Sequence, residues 1–299
     1  EKKSETVSLD NKGSVKVDLL SVGCSGVNAF VGLNGDSEDK LGMQLMGVDF
    51  ALGLMTEQKE EGETSRKWIS LKAEAEDVSF EGINDLTVSS KDLKVEINQA
   101  ASDGSVVDYQ GKLLNIITGT ATDDDGNLVD KVMTLDTDGK EGELLRASGN
   151  LELGVGGFFH VSGDFGFEKK SDGVVLNNES TVTVDVDMLT VGGEGVTAFV
   201  GLNGPYKQDS NGDGFITNAD ALNEDALGLS LTGVDFGLAL MTEQKEEGGT
   251  SRKWTSLEAE AGGVSFVGIN DLTVSSKDLK VEINQAASDG SVVDYQGKL

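Results

Sequence analysis

The chain has 299 residues, 37% of them apolar, and carries 53 acidic against 24 basic side chains for a formal net charge of −29. So negative a surface repels phosphate backbones and anionic lipid headgroups, which argues against nucleic acid as a partner, and no apolar run approaches the roughly 20 residues that a membrane-inserted helix needs. Forty glycines with a single proline predict many tight turns between short paired strands, and a lone cysteine, Cys24, leaves no disulfide framework.

In chain order, the block EKKS at 1–4 opens the sequence. Val15, Val17 and Leu19 then alternate with Lys16 and Asp18, the period of a half-buried strand. VGLNG at 31–35 leads into the short loop GDSEDKLG at 35–42, and TEQKEEG with TSRKW fills 56–68 and ends on Trp68. In LTVSSKDLKVEIN the inward set is Leu86 and Val88, then Leu93, Val95 and Ile97, so parity changes across Ser90–Asp92 and a turn or bulge is expected there. The Asp- and Gly-rich stretches 120–131 and 135–143 read as turn tips. Leu151, Leu153 and Val155, then Phe159, Val161, Phe165 and Phe167, form further inward sets, with His160 on the polar side and Gly163 permitting close packing.

The second half then repeats the first. EKKS returns at 168–171, VGLNG at 200–204, TEQKEEG at 242–248, and residues 78–113 return as 264–299 with one difference, Glu81 against Val267. Val182, Val184 and Val186 restore the opening strand, and Gly193 aligns with Cys24, whose expected role is a small semi-buried side chain. Two repeats follow, 1–167 and 168–299, the second carrying an insertion at 205–224 and expected to break off inside the unit at Leu299. Because the first residue is expected to lie within an array, the lack of a signal-peptide pattern there says nothing about secretion.

These patterns predict an all-β, elongated tandem-repeat architecture. Short strands with frequent corners suit a parallel β-solenoid or stacked antiparallel sheets; alternation alone does not separate them, and the solenoid is favoured. Glycine-rich breaks in ELGVGGFF and LTVGGEGV fit hairpin turns or solenoid corners. The one helical pattern is Ala219–Ala226, beside the insertion.

Within the insertion, DSNGDGFITNAD from Asp209 to Asp220 has the spacing of a twelve-residue calcium loop, in which oxygens at positions 1, 3, 5, 7, 9 and 12 wrap one ion. Those positions hold Asp209, Asn211, Asp213, the Phe215 carbonyl, Thr217 and Asp220, with Gly214 at the sharp turn and the apolar Ile216 as an anchor. The segment resembles the calcium loops of EF-hand and dockerin modules, and Asp220 in the twelfth place resembles the dockerin variety; the resemblance implies an ion site over these twelve residues and the ALNEDAL that follows. The first repeat joins the same flanks without such a loop, so calcium is expected to stiffen one connection and not to build the fold.

Other candidates are weaker. The Asp123–Asp125 cluster and Asp136 with Asp138 lack the full ligand spacing and read as solvated turns. Trp68 and Trp254, beside Arg and Lys, could stack on a sugar ring, or could simply begin the next strand, the reading preferred here. His160 is the only histidine and is expected to be solvated, so neither a histidine metal cluster nor a triad can be assembled, and no carboxylate pair stands out among 53 acids. The long repeats, acidity and lack of disulfides resemble, in style, very large repetitive bacterial surface or secreted proteins of the adhesin or RTX-like kind. That resemblance implies a non-enzymatic, calcium-stiffened filament segment, extracellular or on the cell surface, whose partners are neighbouring repeats and copies of itself. The alternative is a calcium-dependent module binding a glycan or a cell-surface partner.

Overall fold

The computed structural model describes residues 1–10, 13–35, 37, 39–177, 183–212, 216–217, 219–245, 249–269 and 271–295. Its strands are β1 (Lys2–Leu9), β2 (Gly13–Leu33), β3 (Leu41–Glu57), β4 (Lys67–Glu81), β5 (Leu86–Gln99), β6 (Val107–Asp108), β7 (Leu114–Thr122), β8 (Leu128–Leu135), β9 (Leu144–Val155), β10 (Phe159–Val175), β11 (Thr183–Leu202), β12 (Lys207–Gln208), β13 (Ala221–Leu222), β14 (Leu227–Glu243), β15 (Lys253–Val267) and β16 (Val274–Gln285). Among the described residues the one helical element is a 3-10 turn at Gly139–Glu141.

The chain is all-β, as its alternation predicts, but the parallel solenoid is not what forms. Twelve strands make one sheet in the order β16-β15-β14-β11-β10-β9-β5-β4-β3-β2-β1-β6, and every adjacent pair in it is antiparallel. Two of the places that read as turns or corners, Ser90–Asp92 and LTVGGEGV, belong to a set of bulges inside strands that continue past them. Positive φ at Gly26 (65°), Gly47 (59°), Asp92 (50°), Gly195 (61°), Gly233 (58°) and Asp278 (52°) marks them. The register shifts that interrupt β2, β5, β10 and β11 fall at the same height. A line of bulges therefore crosses the sheet and bends successive strands together, which is why parity changes in mid-strand. Ser90–Asp92 is one of these, with Lys91 and Lys94 opposite Asn150 and Ser148 so that two residues face Gly149 alone. Of the two glycine-rich breaks, LTVGGEGV is a bulge, whereas Gly156 and Gly157 (φ 52° and 68°) form the two-residue hairpin joining β9 to β10.

Gly163 allows a close approach, as expected, though to Val196 and not to phenylalanine: a Cβ there would lie 2.8 Å from Val196 Cα. The parity assigned around it is reversed. Phe159 is exposed and His160 and Ser162 are buried: the inserted loop rests on Ser162 and on Phe199, the cross-strand partner of His160. The helix expected at Ala219–Ala226 is absent: Ala221–Leu222 pairs with Lys207–Gln208 as β13 with β12, and eight residues are too few for a helical nucleus to outweigh that pairing.

The sheet buries its apolar side chains in two small clusters. The first holds Val17, Leu19, Met55, Trp68 and Tyr109 under the β7–β8 hairpin, and the second holds Val186, Met241, Trp254 and Val293. The repeats share the sheet. Lys2 and Lys3 pair with Leu20 and Leu19, and Lys169 and Lys170 pair with Leu189 and Met188 in the same register. The C-terminal half of β10 thus takes the place of β1, and the boundary at 167/168 falls inside one continuous strand.

Candidate functional site

The inserted loop is closed at its base by the pairs Lys207↔Leu222 and Gln208↔Ala221. Just outside it, the Asn223 side-chain amide donates to the carbonyls of Asn203 at 2.8 Å and Pro205 at 2.9 Å. It is seated on the sheet through the Ile216 carbonyl, which accepts from the hydroxyls of Ser162 on β10 and, at 3.4 Å, Thr197 on β11. Position eight therefore anchors the loop through its backbone carbonyl, where an apolar side-chain anchor was expected. Gly204 has no room for a Cβ against the Phe199 ring, so the loop entry lies flat on that aromatic, which is buried here.

Asp220 organises the loop. Its Oδ1 accepts from Ser210 N and Oγ, both at 3.1 Å, and its Oδ2 accepts from Thr217 N at 2.8 Å and Oγ1 at 3.0 Å. The backbone N–H groups of Thr217 and Ser210, which stabilise the ionised form, hold this carboxyl down at about 2. At the other end Asp209 Oδ1 accepts from Gly212 N at 2.7 Å. Asn211 lies on the same turn, while Asp213 and Phe215 fall outside the described residues. Among the described residues no group of three His, Cys, Asp or Glu side chains converges as a metal site. The donor chemistry nevertheless fits calcium, since the described members of the set offer hard oxygens only.

The tryptophans do not form a glycan platform. Trp68 and Trp254 begin β4 and β15 with 1% and 2% exposure. Their indole N–H groups donate to the carbonyls of Ser105 at 2.9 Å and Ser291 at 3.1 Å. Arg66 lies over the Trp68 ring, 5.1 Å from its centroid, and Arg252 over Trp254 at 5.2 Å. Arg66 also grips Glu57 with Nε at 2.8 Å and Nη2 at 2.6 Å and reaches Asp103 at 2.9 Å. Arg252 repeats this with Glu243 and Asp289. Sequence reading missed these clamps; their signal was a Glu and an Arg nine residues apart on either side of one charged loop in both repeats.

His160 is not solvated. It is buried, with Nε2 3.0 Å from Glu152 Oε1 on the neighbouring strand. Asp123 uses Oδ1 to accept from Asp125 N and Asn127 N, closing the β7–β8 turn. Asp136 pairs with Lys72 at 3.1 Å, and Asp138 caps the 3-10 turn by accepting from Lys140 N at 2.9 Å. Cys24 is half-buried, its thiol pushed up by burial. No family model, curated protein or solved structure matches the chain.

Proposed function

We propose that this chain is a structural segment of a large repetitive protein, extracellular or on the cell surface, of filament or adhesin type. In this reading copies of the unit add edge to edge into one β-ribbon, and calcium held by Asp209, Asn211, Asp213, Phe215, Thr217 and Asp220 stiffens the one connection that carries the loop. The observation that carries it is β10, a single strand that completes one repeat with its first half and opens the next with its second. Such sharing leaves no hinge between units, and rigidity over distance is what a spacer needs. Strong acidity supports a setting where salt or divalent cations screen the charge. The reading assigns no catalysis, and the burial of both tryptophans removes the aromatic support for glycan binding.

Six strand positions separate β1 from its counterpart β10, so each added repeat should lengthen the ribbon by about 29 Å at the ordinary inter-strand spacing. Electron microscopy of chains with two, four and six tandem repeats tests this. A uniform ribbon growing by that step supports the reading, and separable globules would overturn it. Calcium calorimetry on this chain beside Asp209→Ala/Asp213→Ala tests the ion: one site with a raised melting temperature, both lost in the variant, is expected, and no binding at millimolar calcium removes the ion from the proposal.

A further inference from the structure

The internal repeat builds the same sheet face twice, and among the described residues only one of the two is covered. In the first repeat, rows of β2, β3, β4 and β5 bring Ser21, Gly53, Ser70 and Asn98 side by side, then Gly23, Ala51, Lys72 and Glu96. In the second, β11, β14, β15 and β16 place Thr190, Ala239, Ser256 and Asn284, then Gly192, Gly237, Glu258 and Glu282, in the same rows.

The β7–β8 hairpin lies on the first face. Ile116 and Leu135 are buried in its cluster, with Leu114 and Met133 packed against it. The backbone comes so close that a Cβ on Gly23 would lie 2.6 Å from the Ile117 carbonyl oxygen. Lys131 reaches down to Ser25 Oγ at 2.7 Å and to Asp49 at 3.7 Å.

The second face is an open groove lined by Gly192, Phe236, Gly237, Leu257, Ile283 and Tyr295. Tyr109 is 2% exposed under the hairpin, whereas its counterpart Tyr295 is 51% exposed. Asn98 and Ala51 have no exposure, whereas their counterparts Asn284 and Gly237 are exposed. A Cβ on Gly192 would meet nothing nearer than the Phe236 carbonyl oxygen at 3.7 Å. Glu194 stands where Ser25 stands in the first repeat and Asp235 where Asp49 stands, so two carboxylates border the groove at the point a lysine would reach.

We infer that this groove is the docking site of a β-hairpin of the 114–135 type, with alternate Leu, Ile and Met side chains turned inward and a basic residue aimed at Glu194 and Asp235. The first face supplies the template: the same strands in the same register already hold such a hairpin. The inference rests on the repeat and not on the filament reading. A chain that binds the hairpin but forms no ribbon loses the filament and keeps this site.

The test is calorimetric titration of this chain with a synthetic peptide of residues 112–137, with nitration of Tyr295 followed by mass spectrometry. One peptide per chain and protection of Tyr295 are expected. A Lys131→Glu peptide should bind about tenfold more weakly, since it sets a third carboxylate beside Glu194 and Asp235. Gly192→Val should keep the melting temperature of the parent chain, since the open groove has room for the side chain, yet abolish binding, since the docked backbone leaves none. In case the free peptide does not fold, the sequence 114–135 is also appended after Leu299, with and without Gly192→Val. Protection of Tyr295 only with glycine at 192 supports the site. The inference is overturned if the tethered hairpin leaves Tyr295 reactive or if Gly192→Val binds as well as the parent. It is also overturned if Tyr295 is already protected without peptide in a chain that sediments as a dimer, which would give the face to a second copy.

Discussion

Arg146 on β9 donates through Nε to Glu168 Oε2 on β10 at 2.7 Å, tying the first repeat to the first residue of the second. The same guanidinium reaches Glu141 at 2.7 Å and Glu96 on β5 at 3.3 Å. Glu96, Arg146 and Glu168 face one another directly across three strands, so the arginine separates carboxylates that would otherwise repel at the seam. Replacing Arg146 by Ala should therefore cost more than a single surface pair, about 1–2 kcal/mol after allowing for partial solvation. The loss should shrink in about 0.5 M salt, where repulsion among the remaining acids is screened. Calorimetric melting at low and high salt checks both statements, and a salt-independent loss would indicate lost packing instead.

Acidification should weaken the loop clamps. Hydrogen bonding from Arg66 holds Glu57 down at about 2, and Arg252 does the same for Glu243. A carboxyl depressed in the folded state contributes stability that is fully present above its unfolded value near 4.3 and disappears as pH falls through its folded value. The clamps should accordingly hold at pH 6 and fail between about pH 4 and pH 2. Protonation of the many other acids relieves repulsion over the same range and partly masks the loss. Urea unfolding at pH 6, 4 and 3 should show a steeper decline for the parent chain than for Glu57→Gln/Glu243→Gln, which starts lower and has less to lose.

Fold class, strand positions and the repeat are legible in the sequence because period-two alternation and copied segments are local signals. Val17 and Leu19 are buried and Lys16 and Asp18 exposed, as read. Strand direction is not local: Leu93, Val95 and Ile97 alternate identically in a parallel or an antiparallel neighbourhood, and only the pairing of β5 with both β4 and β9 decides. Alternation misplaces His160 because its neighbours are not local: Nε2 meets Glu152 on β9, and its cross-strand partner is Phe199 on β11, which is buried against Gly204 at the entry of the inserted loop. The loop of Asp209–Asp220 was found by spacing, but the hydroxyl and amide of Ser210 that fix Asp220 carry no motif signal, and neither do the hydroxyls of Ser162 and Thr197 beneath Ile216.

Trp68 and Trp254 are equivalent in sequence but stand in unequal cores. Trp68→Ala should destabilise by about 3–5 kcal/mol, through lost burial, the cavity and the released Ser105 carbonyl. Trp68→Phe keeps most of the packing and should cost about 1–2 kcal/mol. Trp254→Ala should cost less than Trp68→Ala, because among the described residues no hairpin lies over the second cluster, which can relax toward solvent. Urea unfolding followed by circular dichroism orders the three, and equal costs for the two alanine variants would remove the asymmetry between the faces.

The bulge at Asp92 offers a sharper test of how parity is reset. Asp92 has φ 50°, and Gly149, opposite the bulge, is so crowded that a Cβ would lie 3.1 Å from Leu93 Cα and from the Lys91 carbonyl oxygen. Left-handed φ is easy for glycine, tolerable for aspartate and costly for a β-branched side chain. Asp92→Gly should leave the melting temperature within a degree or two, whereas Asp92→Val should cost about 1–2 kcal/mol. Deleting Asp92 is a different perturbation: it lets Lys91 and Lys94 stay opposite Asn150 and Ser148 on β9 but shifts Leu93, Val95 and Ile97 by one place against Ala75, Ala73 and Leu71 on β4, so the two neighbours of β5 demand different registers. Amide exchange in β4 and β5 should therefore rise sharply in the deletion and only modestly in Asp92→Val; equal protection in both would mean that the extra residue does not reconcile the registers of β5 with its two neighbours.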